Sequence, residues 1–304
     1  MLFHMMTIQG HTLREWAQAT RPWSFPASTM PVMVAMVWLA SQGLMASWPL
    51  GLLALVNIVL VHAAGNVWSD YFDYRSGVDA ADTYGVRILT DGVFTPRQVL
   101  TLSVVLQVLA VGMGLLMVWL TGLPLLWLGL AGIALSLAYP PLKYAALGDV
   151  VIMACYSLLP MLGITFICSG AIVPRVLWLA VPVGSITVAI LHGNNLRDIE
   201  TDSRANIRTV ALLTGRSLGS ALYVAELLMP YVWLLATVLL GHVSPWTLLA
   251  FATLPIALRN CRTAVACNTG GAVAIARLDE ATAQLQLAFS LSLTAGLVAA
   301  TFLA

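Results

Sequence analysis

The run QVLTLSVVLQVLAVGMGLLMVWLTGLPLLWLGLAGIALSLAYPPL, from Gln98 to Leu142, contains no Asp, Glu, Lys or Arg. A helix crosses the hydrocarbon of a bilayer in about 20 apolar residues. This run is long enough for two such helices, with Gly122-Leu123-Pro124 as the break between them. Outward from it the pattern repeats. Charge is absent from Pro22 to Ser69, from Val150 to Pro174, from Val176 to Leu196 and from Ala281 onward, and Glu226 stands alone between Ser217 and Leu258. Of 304 residues, 60% are hydrophobic and 9% charged. A soluble domain has roughly 45–50% apolar and about 25% charged residues. The balance therefore excludes a soluble globular enzyme and a disordered chain, and a net charge of +1 excludes the basic footprint of a nucleic-acid binder.

The spacing predicts an all-α, polytopic membrane protein with nine transmembrane helices in a single domain, 1–304. The helices should begin near Pro26, Pro49, Gln98, Pro124, Asp149, Val176, Ser217, Pro245 and Ala283. Short alternating segments of a β-barrel are not visible. With nine spans, Arg14, Arg21, Arg75, Arg87, Arg97, Lys143, Arg197, Arg204, Arg208, Arg216, Arg259, Arg262 and Arg277 all fall on one side, and Arg175 falls on the other. Basic residues mark the cytoplasmic side. The N-terminus and the charged loops are expected in the cytoplasm, and the C-terminus across the inner plasma membrane. Residues 1–21 read as a cytoplasmic segment with a short interfacial helix over His11–Thr20. The first apolar run follows this polar segment and pairs with a second span, so it reads as a helix of the bundle rather than a cleaved leader. The four cysteines lack metal spacing and read as small buried hydrophobes.

The acids are concentrated. Asn66-Val-Trp-Ser-Asp70-Tyr-Phe-Asp73-Tyr-Arg75-Ser-Gly-Val-Asp79-Ala-Ala-Asp82 ends the second expected helix, and Asn194-Asn195-Leu-Arg197-Asp198-Ile-Glu200-Thr-Asp202 ends the sixth. At about 100° per residue, Asn66, Asp70 and Asp73 share one helix face, as do Asn194, Asp198 and Asp202. Carboxylates held this close repel unless protons or a cation intervene. Hard divalent cations, Mg²⁺ above all, suit such oxygen donors and bridge to phosphates. Arg75, Arg87, Arg197, Arg204, Arg208 and the lone lysine, Lys143, lie in the loops of the same face. Forked guanidinium donors and an ammonium beside a carboxylate-held cation make a diphosphate site. The usual soluble phosphate loop, G-x-x-x-x-G-K-[ST], is absent. A diphosphate at the membrane face with an apolar bundle behind it points to a lipid diphosphate. A secondary transporter would carry its polar site near the bilayer midplane, whereas these acids gather at one surface.

Several motifs in order carry a resemblance. They are Arg21-Pro22, His62-Ala-Ala-Gly-Asn66 through Asp79, Arg87-Ile-Leu, Lys143-Tyr-Ala-Ala-Leu-Gly-Asp149, and Leu191-His-Gly-Asn194-Asn195-Leu-Arg197-Asp198 through Asp202. The chain resembles the UbiA superfamily of intramembrane prenyltransferases over nearly its whole length, and within it the menaquinone branch. It departs from the superfamily pattern N-D-x-x-D-x-x-x-D, because Val67 follows Asn66 and the last carboxylate, Asp73, comes one place early. The menaquinone branch looks the same.

The resemblance implies a bundle around a central cavity, capped by cytoplasmic loops, with the two Asp-rich motifs facing each other. It implies Mg²⁺-dependent transfer of a polyprenyl group from an allylic diphosphate to 1,4-dihydroxy-2-naphthoate, with loss of CO₂. A 4-hydroxybenzoate or homogentisate acceptor is the alternative. Asn66, Asp70, Asp73, Asp198 and Asp202 are the expected metal and diphosphate ligands, and Asp79 is a further member. Which of Asp70, Asp73 and Asp79 touches the metal stays open. Arg87, Lys143, Arg197 and Arg208 are expected on the diphosphate, with Asn194 beside them. Tyr139 and Tyr144 either shield the allylic cation or pack, and Arg21 and Asn195 help place the acceptor. His62 and His192 point toward the site by spacing or serve as hydrogen-bonded bundle histidines. Glu226 should face the bundle interior.

Overall fold

The computed structural model describes residues 7–8, 10–78, 87–205 and 207–303, so Asp79 and Asp82 lie outside the described residues. The architecture is all-α. Among the described residues the only sheet is a two-residue strand pair, Thr7–Ile8 with His11–Thr12, leading into α1 (Leu13–Ala19). Among the described residues, seven helical stretches are long and apolar enough to cross a membrane. They are Pro22–Ser41, containing α2 (Pro26–Ser41); α3 (Trp48–Arg75); α4 (Pro96–Thr121); Gly148–Ser169; Pro174–Arg197, containing α9 (Leu177–Arg197); α11 (Val210–Leu239); and α13 (Leu278–Leu303).

At the places of the expected fourth and eighth spans the helices are shorter or mixed. α5 (Pro124–Leu137) has 14 residues, about 21 Å of α-helix against a core of about 30 Å. It runs on into α6 (Tyr139–Lys143). The other is a 3₁₀ segment, Pro245–Thr253, continued by α12 (Leu254–Ala274), which carries Arg259 and Arg262.

Local chemistry sets the boundaries. Ser47 caps α3 and Thr95 closes a reciprocal capping box with Gln98 at α4, each followed by a proline in the first turn, where its missing N–H costs nothing. Two starts differ from the charge-based expectation. α11 begins at Val210, not Ser217, because Thr209 caps a first turn that ends in a kink at Gly215, φ +70°. α13 begins at Leu278, so that Asp279 and Glu280 fill its first turn, where the helix dipole favours acids.

The span Gly148–Ser169 is not uniform. α7 (Gly148–Met153) passes into α8 (Leu159–Ser169) through a π-helical turn, Ala154–Leu158. Pro160 has no N–H for the Tyr156 carbonyl, and the helix widens at that point.

α9 is the centre of the bundle. Fifteen of its 21 residues are buried, and α2, α7, α11, α12 and α13 pack around it. Close approach is built from small residues. A Cβ on Gly184 would stand 2.5 Å from the Met153 Sδ and 2.8 Å from the Ser157 Cβ. One on Gly296 of α13 would stand 2.2 Å from the Trp246 carbonyl oxygen. The outer faces are apolar, as a lipid contact requires. On α4, Val104, Val108, Leu115 and Trp119 are exposed, Trp119 by 81%.

Candidate active site

A cavity of about 900 Å³ opens inside the bundle. Its walls are apolar side chains and glycines of α3, α4, α5, α8 and the π turn, among them Ala54, Ile58, Val118, Leu126, Gly132, Leu159, Gly163 and Ile167. Its charged end is built by α3, α6, α9 and α10 (Ile199–Arg204), together with Arg21 and the start of α13. Asn66, Asp73, Lys143, Asn194, Arg197, Asp198 and Asp202 all line it, as do Arg21, Tyr139 and Asn195. The two acidic helix ends thus meet at one space.

Asp73 is 7% exposed and takes hydrogen bonds from three side chains: Lys143 Nζ at 3.0 Å, the Tyr144 hydroxyl at 2.7 Å and Ser69 Oγ at 3.1 Å. Burial alone would lower the Lys143 ammonium, but the Asp73 carboxylate outweighs it and holds Lys143 above its ordinary range.

Asp70, one turn earlier, turns to Arg21 and pairs with it. Arg21 adopts the left-handed conformation, φ +55°, ahead of Pro22, a conformation uncommon for a residue with a Cβ. Asn66 donates to the Thr20 carbonyl at 3.0 Å and to Ser24 Oγ at 3.1 Å. His62 lies between Ser24 (3.2 Å) and Ser28 (2.8 Å), with the Tyr156 ring edge-on at 4.8 Å. It is a hydrogen-bonded histidine of the bundle that fastens the start of α2 to α3.

On the second motif, Arg197 grips Asp198 with two parallel bonds of 2.8 and 2.9 Å and donates to Asn194 Oδ1 at 2.9 Å. It also pairs with Asp279 at 3.1 Å. Asp202 is 5% exposed. Burial pushes its carboxyl up to about 7; Lys143 draws it back down, while Asp198 and Asp73 add to the rise. A carboxylate disfavoured by desolvation and by two neighbouring carboxylates is one that a cation would stabilise. The donors are hard oxygens, with solvent at the mouth for retained waters, which fits Mg²⁺.

Three of the expected metal and diphosphate residues stand outside the lining: Asp70, which is held by Arg21, and two arginines. Arg87 does not line the cavity; it pairs with Asp91 at 2.6 Å on the surface. The Arg208 side chain is exposed, and its backbone N–H donates to the Tyr144 carbonyl at 2.9 Å. Asp279 lines the cavity although it belongs to neither acidic motif. Its signal in the sequence is an Asp-Glu pair at the start of the last helix, on the same expected side as the two motifs. Glu226 faces the interior, 2.9 Å from His192 Nδ1.

The sequence model of the UbiA prenyltransferase family matches residues 28–278. The chain belongs to the UbiA prenyltransferase family. Relatives agree. The UbiA prenyltransferase domain-containing protein 1 of Mus musculus is 34% identical over 254 residues, covering 81% of this chain and 74% of that protein. The 1,4-dihydroxy-2-naphthoate octaprenyltransferase of Bacillus subtilis (strain 168) is 28% identical, covering 78% of each. The fold resembles that of a UbiA homolog from Aeropyrum pernix K1 in its apo form, with TM-score 0.67 and 17% identity over 89% of this chain and 96% of that one. It also resembles a UbiA homolog from Archaeoglobus fulgidus bound to GPP and Mg²⁺, with TM-score 0.60 and 13% identity over 92% and 99%. This UbiA prenyltransferase therefore shares the helical fold of those homologs, and Asn66, Asp73, Asn194, Asp198 and Asp202 of its two acidic motifs line the charged end of its cavity.

Proposed function

We propose that this UbiA-family protein transfers a polyprenyl group from an allylic polyprenyl diphosphate to 1,4-dihydroxy-2-naphthoate, with Mg²⁺ as cofactor and CO₂ leaving the ring, to give the quinol form of demethylmenaquinone. The convergence of Asp73, Lys143, Arg197, Asp198 and Asp202 on the mouth of one apolar cavity carries the reading. The similarity to the Bacillus subtilis octaprenyltransferase supports the acceptor. The Archaeoglobus homolog, bound to GPP and Mg²⁺, supports an allylic diphosphate with that metal.

Asn66, Asp73, Asp198 and Asp202 would hold the metal, with Asp70 behind them on Arg21. Bound there, Mg²⁺ would neutralise the charge that develops on the departing diphosphate. Lys143 and Arg197 donate to the phosphate oxygens, where preorganised positive charge counts most as the allylic C–O bond breaks and its electron pair goes to oxygen. The apolar walls keep water from the allylic cation. Asn195 and Arg21 orient the acceptor. Its electron-rich ring carbon forms the new C–C bond, and the pair released from the C–CO₂ bond restores the aromatic ring. The charged mouth faces the cytoplasm in this reading, and the membrane supplies the prenyl substrate to the cavity.

The test is product analysis by mass spectrometry. Purified protein is given a mixture of prenyl diphosphates with each of 1,4-dihydroxy-2-naphthoate, 4-hydroxybenzoate and homogentisate. Decarboxylated prenylnaphthoquinol is expected. A product from 4-hydroxybenzoate or homogentisate alone would replace the acceptor assignment.

A further inference from the structure

Outside the cavity lining, α7, α9 and α11 bring together a second set of polar side chains, one from each helix. Asp149 in the first turn of α7, His192 of α9 and Glu226 of α11 each offer a ligand atom, and these lie within 4.8 Å of one another. None of the three lines the cavity. His192 is 1% exposed, and its Nδ1 is 2.9 Å from Glu226 Oε1. Its Nε2, and Oε2 of Glu226, are buried and take no hydrogen bond. Among the described residues neither Asp149 nor Glu226 pairs with an arginine or lysine. Two carboxylates and one imidazole carry excess negative charge even when the imidazole is protonated. His192 is buried and the two carboxylates are half-buried, and among packed helices such charge is costly unless it is compensated.

We propose that Asp149, His192 and Glu226 form a second metal site, distinct from the diphosphate pocket, that takes a borderline divalent transition ion of the Zn²⁺ class. The donor set decides the class. An imidazole nitrogen beside two carboxylates suits Zn²⁺ and its neighbours, whereas Mg²⁺ keeps to oxygen and to its waters. Adjacent donors in a tetrahedral Zn²⁺ site stand about 3.4 Å apart, as follows from bond lengths near 2.1 Å. The His192–Glu226 contact is already close to that, and the Asp149 oxygen lies within 4.8 Å of both partners, so that the two remaining edges need to shorten by no more than about 1.4 Å. Three protein ligands leave one position for water.

The site would tie together α7, which follows the Lys143 loop, α9, which carries Asn194 and leads into Asp198, and α11. Small residues allow that approach. A Cβ on Gly219 of α11 would stand 2.8 Å from Leu196 Cδ2 and 3.7 Å from His192 Nε2.

The experiment uses the full chain in detergent, stripped with chelator, loaded with Zn²⁺ in excess Mg²⁺ and desalted, with bound metal counted by mass spectrometry. One Zn²⁺ per chain is expected in the wild type and in Asp198→Asn/Asp202→Asn. In His192→Gln and Glu226→Gln the affinity should fall at least roughly tenfold. Co²⁺ should give visible absorption in the wild type that Glu226→Gln lacks. Zn²⁺ should also raise the wild-type Tm in excess Mg²⁺, a readout that does not depend on any variant folding. A wild type that retains no Zn²⁺ and shows no Tm shift overturns the site and leaves a hydrogen-bonded triad. Retention unchanged in a folded Glu226→Gln, or lost only in Asp198→Asn/Asp202→Asn, overturns it as well.

Discussion

Asp73 is held by three side chains at the mouth, and its loss should be felt twice. Asp73→Asn keeps the shape but leaves Lys143 beside a neutral amide, and breaking a largely buried pair costs about 3 kcal/mol. A clear fall in Tm is expected, together with a loss of prenyl transfer of at least about a hundredfold. Steady-state kinetics and a thermal melt on one preparation check both. Lys143→Met should act on the prenyl diphosphate half of the reaction, lowering kcat as well as raising the KM for that substrate, while leaving Mg²⁺-independent binding of the acceptor unchanged. Glu200 gives the contrast. It pairs with Arg216 on the surface and its side chain is 58% exposed, so Glu200→Gln should move activity by less than about twofold, within the range of exposed pairs. Helical spacing let the sequence group Asp73, Asp198 and Asp202 as candidates, and all three line the cavity. It could not separate Asp70 from Asp73, because their difference lies in what stands opposite: Arg21 for one, Lys143 and Tyr144 for the other.

At the scale of elements, the helices are fastened by close backbone approach as much as by apolar burial. Gly296→Ala should be strongly destabilising, because its Cβ has no room against the Trp246 carbonyl, and overpacking costs about 1–3 kcal/mol. Gly112→Ala and Gly129→Ala meet nothing within 4 Å. They should be neutral or gain up to about 1 kcal/mol from helix propensity. Differential scanning fluorimetry on the three variants reads the order directly. The positions of the spans were legible because a bilayer enforces long charge-free runs, and the starts at Pro26 and Pro124 coincide with proline at a first turn. The start of α11 was not legible, since a cap at Thr209 and a kink at Gly215 let charged Arg216 belong to the helix. Nor was the π turn, which arises from a single missing N–H at Pro160 inside an otherwise regular apolar run.

For the whole molecule, the cavity sets what the protein can hold. Gly163 lines it, and a Cβ there would meet only Leu125 Cδ1, at 3.9 Å. A larger side chain would therefore grow into the open space. Gly163→Phe should shift the products toward shorter prenyl groups with Tm nearly unchanged, which mass spectrometry of the lipid extract would show. The orientation predicted from the basic residues is checked separately. A cysteine at Arg262 should be labelled from the cytoplasmic side of sealed vesicles, and one at Arg175 from the other side. That both acidic motifs would share one space was foreshadowed by their placement at the ends of even-numbered spans. The absence of Arg87 and Arg208 from the cavity lining was not, since loop charges have no periodicity to aim them. Arg208 nevertheless shapes the mouth through its main chain. Its N–H joins the Tyr144 carbonyl and thereby links the strip that carries Lys143 to the segment that follows Asp202. Because that link is made of peptide groups, side-chain changes at positions 145 and 208 other than to proline, which has no N–H, leave it standing. The gap between the two loops is thus protected from mutational drift at its own edges, and the surface there is free to vary while the mouth keeps its width.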